Sequence, residues 1–194
     1  MTSPQILRAA DRAATPWKNG LGVTREIAVH PPGADLDSFD WRVSMASVDA
    51  GGPFSSFPGV DRILAVLEGR LALRIDGRAP VAVDPDTAPL AFPGDVPVEA
   101  DLLGGPVADL NVMVRRGQVQ ATLERLRGDA PVELAVSQTM ILLARTAGVH
   151  LVHRGRRSEL DRDDAAVFDG YEREHIRLEP DRPSTLFVIR LTRS

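Results

Sequence analysis

Apolar and polar positions alternate along this chain in short stretches that glycine and proline keep interrupting. Trp41-Arg42-Val43-Ser44-Met45-Ala46-Ser47-Val48 is the clearest: Trp41, Val43, Met45 and Ser47 fall on one face, Arg42, Ser44, Ala46 and Val48 on the other. Alternation alone leaves open which face is interior. Further strands are expected at 24–29, 62–68, 71–75, 89–92 and 109–114. The pair 62–68 and 71–75, separated only by Gly69-Arg70, reads as a hairpin. Val119, Leu123 and Leu126 fall at helical spacing, so a connecting helix is expected over 117–126. Strands follow at 140–144, 148–152, 164–168 and 184–191. Short strands with frequent turns predict an all-β sandwich or barrel, in two sets on either side of the helix. No close sequence repeat links the two sets.

Composition narrows this reading in a few places. A chain of 194 residues can bury a proper core, as one large domain or two small fused ones. Its 16 glycines and 15 prolines are spread through the chain and form no single linker. The formal net charge of −4 gives no electrostatic reason to expect nucleic acid or an anionic membrane as partner. Arg154, Arg156 and Arg157 form a short basic cluster, which reads as a solvated turn. With no cysteine, disulfides, thiolate chemistry and cysteine-rich zinc sites are excluded. The first residues show no basic-then-apolar leader, and no run is long enough to cross a membrane as a helix. A soluble cytoplasmic protein is expected.

Candidate chemistry is sparse. His30, His150, His153 and His175 show no paired ligand spacing, and no metal site or other cofactor is expected. There is no Gly-x-Ser-x-Gly elbow, and Gly20-Leu21-Gly22 and Gly51-Gly52 lack the strand–helix frame of a phosphate loop. Polar residues set among strands and turns stand out instead. The stretch from Pro16 to Glu26 carries Lys18, Asn19, Arg25 and Glu26; Asp61-Arg62 precedes an apolar strand, and Asn111 interrupts another. Arginine offers a planar fork to a carboxylate, and asparagine both donates and accepts. Spacing alone leaves ligand binding and structural pairing of Arg25 or Arg62 with Glu26, Asp61 or Asp109 equally open.

Five ordered blocks resemble the HutD/Ves family: Pro16-Trp17-Lys18-Asn19-Gly20-Leu21-Gly22-Val23-Thr24-Arg25-Glu26-Ile27; Trp41 to Ala46; Gly52 to Arg62 followed by Leu67-Glu68-Gly69; Phe92-Pro93-Gly94-Asp95; and Asp109 to Met113. The resemblance is strong over 5–116 and vaguer over 131–194. It implies a bicupin: two jelly-roll antiparallel β-barrels, here 1–116 with a ligand pocket and 117–194 with the connecting helix and a shorter, degenerate barrel. Cupins hold metal through histidines and a glutamate. The segment Phe54 to Arg62 and the Pro93-Gly94 region lack those histidines, which implies a metal-free site.

The resemblance further implies an accessory or regulatory role in histidine utilisation, with a small anionic metabolite such as formylglutamate as ligand. On this reading Lys18, Arg25 and Arg62 recognise carboxylate. Asn19, Ser44 and Asn111 orient it, Glu26 pairs with a cation or a ligand amide, and Trp17, Trp41 and Phe54 supply an apolar wall. The alternatives are a hydrolase or isomerase using Glu26 as acid/base, and a protein-interaction module with an inert interior. Jelly-roll edges and faces also make a homodimer an expectation.

Overall fold

The computed structural model describes residues 3–17 and 19–194. Chain order begins with β1 (Gln5–Leu7), β2 (Ala14–Pro16), β3 (Gly22–His30), β4 (Trp41–Val48), β5 (Gly52–Pro53) and β6 (Val60–Glu68). It continues with β7 (Leu71–Ile75), β8 (Val81–Val83), β9 (Leu90–Pro93), β10 (Val98–Leu102) and β11 (Val107–Arg115). The last strands are β12 (Val119–Gly128), β13 (Val132–Ala144), β14 (Val149–His153), β15 (Arg156–Leu160), β16 (Ala165–Pro180) and β17 (Ser184–Arg193). Among the described residues there is no α-helix, only a 3-10 turn at Ala9–Asp11. Among the described residues, no helix is long and apolar enough to cross a membrane.

The chain divides into two compact units. One spans Ala13–Gln120 and holds a six-stranded sheet, β2-β3-β4-β11-β6-β9, and a four-stranded sheet, β5-β10-β7-β8. Leu64, Val66, Phe92 and Val107 of the first sheet pack with Leu71, Leu73, Val83, Val98 and Ala100 of the second. This is a jelly-roll-type sandwich whose sheets stay open, where closed barrels were expected. Val60, Arg62, Leu64 and Val66 of β6 and Val107, Asp109, Asn111 and Met113 of β11 face its interior.

Strands β6 and β7 were expected to pair, and they do not. β6 bonds to β11 and β9, and β7 bonds to β10 and β8. The chain crosses between sheets at Gly69-Arg70. Gly69 has φ of +77°, and a Cβ there would sit 2.5 Å from the Pro106 carbonyl oxygen, so the crossing needs glycine. Two strands facing each other across a core carry the same inward alternation as a hairpin, so the pattern could not separate the two arrangements.

The second unit comprises Ala121–Arg193 with the N-terminal segment up to Arg12. Its seven-stranded sheet runs β12-β17-β13-β16-β14-β15. The far edge of β16 is shared by β14 at one end and β1 at the other. Its core gathers Val136, Met140, Leu142, Val149, Leu151 and Phe168 with eight further buried residues.

The helix expected over 117–126 is the strand β12. Val119 is buried, Ala121 and Leu123 are half-buried, and Gln120, Thr122 and Glu124 between them are exposed, which is a period of two. Val119, Leu123 and Leu126 fit a period of 3.6 only because Ala121 is too small to weigh in the pattern. The boundary consequently falls inside a strand, and the first residues of the chain belong with the second unit.

Candidate functional site

Strand register lays three rows of side chains across the inner face of the six-stranded sheet. Thr24, Ala46, Asp109 and Val66 form one row, Glu26, Ser44, Asn111 and Leu64 the next, and Arg42, Met113, Arg62 and Phe92 the third. The end made by β6 and β9 is apolar. The end made by β3, β4 and β11 is polar, and Arg62 reaches across to it.

The geometry around Arg62 is closed. It is 5% exposed, and its Nε donates to Asn111 Oδ1 at 3.4 Å. Its guanidinium carbon lies 4.9 Å from the ring centroid of Phe54, 5.3 Å from Phe92 and 5.7 Å from Phe57. Backbone bonds fix two of these rings: Phe54 N–H donates to the Val98 carbonyl and Phe57 N–H to the Gly94 carbonyl, each at 2.8 Å. Gly94 makes room for the arginine stem, since a Cβ there would lie 3.3 Å from Arg62 Cδ. Among the described residues, no acceptor meets the two terminal nitrogens of Arg62.

A cation in such a place loses most of its water, and ring faces return only part of that loss. Burial lowers the Arg62 pKa to about 10, the nearby Asp109 charge opposing the shift, so the group stays charged at neutral pH. Asp109 is 3% exposed. Burial pushes its carboxyl up to about 7, with Arg62 pulling the other way. No hydrogen bond among the described residues ends on the Asp109 carboxylate.

The rest of the polar strip is self-paired. Arg42 Nε donates to Glu26 Oε2 at 2.7 Å, and its Nη1 to Ser44 Oγ at 3.5 Å. Trp17 Nε1 donates to Thr24 Oγ1 at 2.8 Å, which holds the indole beside this strip. A largely buried guanidinium with open donors, an amide beside it and aromatic walls are the chemistry with which an anion can be held and oriented.

Of the residues anticipated from sequence, Arg62, Asn111, Ser44 and Glu26 share this inner face, with Trp17 and Phe54 alongside. Arg25 does not. It neighbours Met45 and Ala14, is exposed, and points to the face opposite Thr24 and Glu26, because successive strand residues alternate. Trp41 is on the face opposite Arg42 and stacks on His30, with ring centroids 5.8 Å apart. Asn19 is exposed, its Oδ1 accepting from Leu21 N–H at 3.1 Å, which shapes the turn. Lys18 lies outside the described residues.

Sequence reasoning missed Arg42, Phe57 and Phe92 as members, and took Asp109 only as an ion-pair partner. The signal was present as i, i+2 spacing: Arg42 with Ser44, and Asp109 with Asn111.

The histidines go elsewhere. His150 pairs with Asp181 at 2.9 Å and His153 with Glu174 at 2.5 Å, both in the second unit. Among the described residues, no group of three or more histidines and carboxylates is placed to hold a metal ion. A separate open groove of about 590 Å³ runs along β5 and β10. Its lining includes Asp49, Glu99 and Asp101 and none of the residues around Arg62, and it has the wrong charge for an anion.

The HutD family profile matches residues 9–188, nearly the whole chain. The chain belongs to the HutD family. A 21.2 kDa protein of Pseudomonas putida, described as lying in the hutC 3′ region, is 37% identical over 157 residues, 80% of this chain and 81% of that protein. Protein Ves of Citrobacter koseri is 42% identical over 106 residues, which is 54% of each chain. The solved structure of HutD from Pseudomonas fluorescens SBW25, in its formate condition, superposes with a TM-score of 0.85 at 30% identity. It covers 99% of this chain and 100% of that one. Bacillus subtilis oxalate decarboxylase OxdC has a TM-score of 0.68 at 8% identity, covering 97% of this chain and 77% of that one. That likeness shows the cupin-like fold of this HutD family member, and the fold alone.

Proposed function

We propose that this protein is a binder of a small anionic metabolite, with an accessory or regulatory role in histidine utilisation. The observation that carries the proposal is the buried Arg62 guanidinium, walled by three phenyl rings, with two terminal nitrogens that meet no described acceptor. Donors left open on a guanidinium held this rigidly suit a carboxylate of a ligand. The pathway follows from the family and from the P. putida relative's place beside hutC. N-Formylglutamate suits the site in chemistry, with a carboxylate for the guanidinium and an amide for Asn111 and Ser44. The geometry gives acid/base catalysis by Glu26 less support, because Glu26 is 41% exposed and ion-paired with Arg42.

Calorimetry with N-formylglutamate, urocanate and histidine tests the reading. Losing a charge-assisted contact worth about 1.5–3 kcal/mol weakens binding roughly 10- to 100-fold, and that is the result expected for Arg62→Ala. Circular dichroism must show that the variant is folded. A folded Arg62→Ala protein that binds as tightly as wild type removes Arg62 from the site. No binding of any of these acids to wild type favours the interaction-module reading.

A further inference from the structure

The interior around Arg62 contains a second charge that carboxylate recognition alone does not use. Asp109 stands on β11 two residues from Asn111, on the same face, and is 3% exposed. It meets no hydrogen-bond donor among the described residues, and the charge of Arg62 acts on it. The pair places one cation and one anion between the phenyl rings and the polar strip of Glu26, Arg42, Ser44 and Asn111. A carboxylate arriving at Arg62 changes that balance. It leaves two anions facing one cation where little water reaches to screen them. Two carboxylates in such a site do not both stay ionised, and the cheaper outcome is that one holds a proton.

We propose that each carboxylate bound at Arg62 is taken up together with one proton, and that Asp109 is the group that carries it. The inference rests on the carboxylate-binding reading above and adds a coupling to it. Protonated Asp109 then turns from an acceptor into an O–H donor, and a donor suits an anionic ligand where a carboxylate repels it. Burial already pushes the Asp109 carboxyl up to about 7, so near neutrality the proton is available at little cost.

The other groups facing the site do not do this equally well. On β3, Glu26 is ion-paired to Arg42 of β4 at 2.7 Å and is 41% exposed, so solvent and its partner already compensate it. Ser44 and Asn111 do not titrate. On the covering sheet, β7, β8 and β10 present Leu71, Leu73, Val83, Val98 and Ala100 inward, none of which titrates. Phe54, Phe57 and Phe92 complete the wall, and Lys18 lies outside the described residues.

The test is titration calorimetry of the full chain with N-formylglutamate in buffers of different ionisation enthalpy. The dependence of the heat on the buffer reads the protons taken up per ligand. Uptake should approach one at about pH 8.5 and fall toward zero at about pH 5.5, where Asp109 already holds its proton. Affinity should weaken roughly tenfold per pH unit above about pH 7. Asp109→Asn should bind with no proton uptake and with an affinity that is flat across this range, whereas Glu26→Gln should keep the uptake.

Binding without uptake in the wild type overturns this proposal while leaving the carboxylate site standing. Uptake that disappears in Glu26→Gln and persists in Asp109→Asn overturns the assignment to Asp109. No binding to the wild type overturns both readings. The wild-type pH profile decides the coupling even where Asp109→Asn does not fold.

Discussion

Arg62 and Asp109 are each nearly dry, and they tolerate it by different means. The arginine keeps its charge, because phenyl faces and the opposite charge of Asp109 stand in for part of its water. The carboxyl meets no donor, so burial raises its titration to about 7. The sign for stability follows from linkage. A raised folded-state value means that the folded protein binds a proton more tightly than the unfolded chain. The resulting stabilisation is complete below the ordinary aspartate range near pH 4, is lost as pH rises to about 7, and changes no further above that. Urea unfolding should find the protein less stable at about pH 8 than at about pH 5, with Asp109→Asn shrinking that difference by about 1–3 kcal/mol. An unchanged difference in the folded variant would show that Asp109 is not the buried titrating group.

At the scale of elements, the strands decide which side chains meet, and glycines decide where strands can go. The crossing at Gly69-Arg70 brings β7 over the sheet that contains β6, so that Leu71 and Leu73 cover Leu64 and Val66. Gly69→Ala adds a Cβ 2.5 Å from a backbone oxygen in a left-handed conformation. It should cost about 2–4 kcal/mol in chemical denaturation. A loss below about 0.5 kcal/mol would mean that the crossing adjusts freely. The same scale shows what alternation could reveal. The bounds of the strand over Trp41–Val48 were legible to the residue, because apolar and polar side chains alternate along it, although alternation did not say which face is interior. The strand over Val119–Gly128 was not: three apolar residues matched a helical period, and tertiary pairing overrode it.

For the whole molecule, the N-terminal segment is built into the second unit although the sandwich unit follows it in sequence. β1 pairs with β16, and Asp164, 2% exposed, anchors the junction. Its Oδ1 accepts from the Ala9 N–H at 2.7 Å, and its Oδ2 from Arg8 at 2.6 Å and from the Asp161 N–H at 3.1 Å. Asp164→Ala leaves these donors without their acceptor. It should lower stability by about 2–4 kcal/mol and speed amide exchange in β1 more than in the core of β13. Exchange in β1 that stays as slow as in wild type would show that strand pairing alone holds the segment.

The sequence by itself determined the all-β class, most strand positions and the family, because side-chain alternation and turn residues are local properties of the chain. It also pointed to Arg62, Asn111, Ser44 and Glu26, since polar residues stood out inside apolar strands. Only the tertiary structure decided that β6 and β7 lie in different sheets, that Arg25 faces away from Arg62, and that Arg42 and Asp109 join the polar strip. Those facts depend on register and on which sheet covers which face. Shifting a strand by one residue, or pairing it with another neighbour, leaves its own alternation unchanged while exchanging every partner its side chains meet.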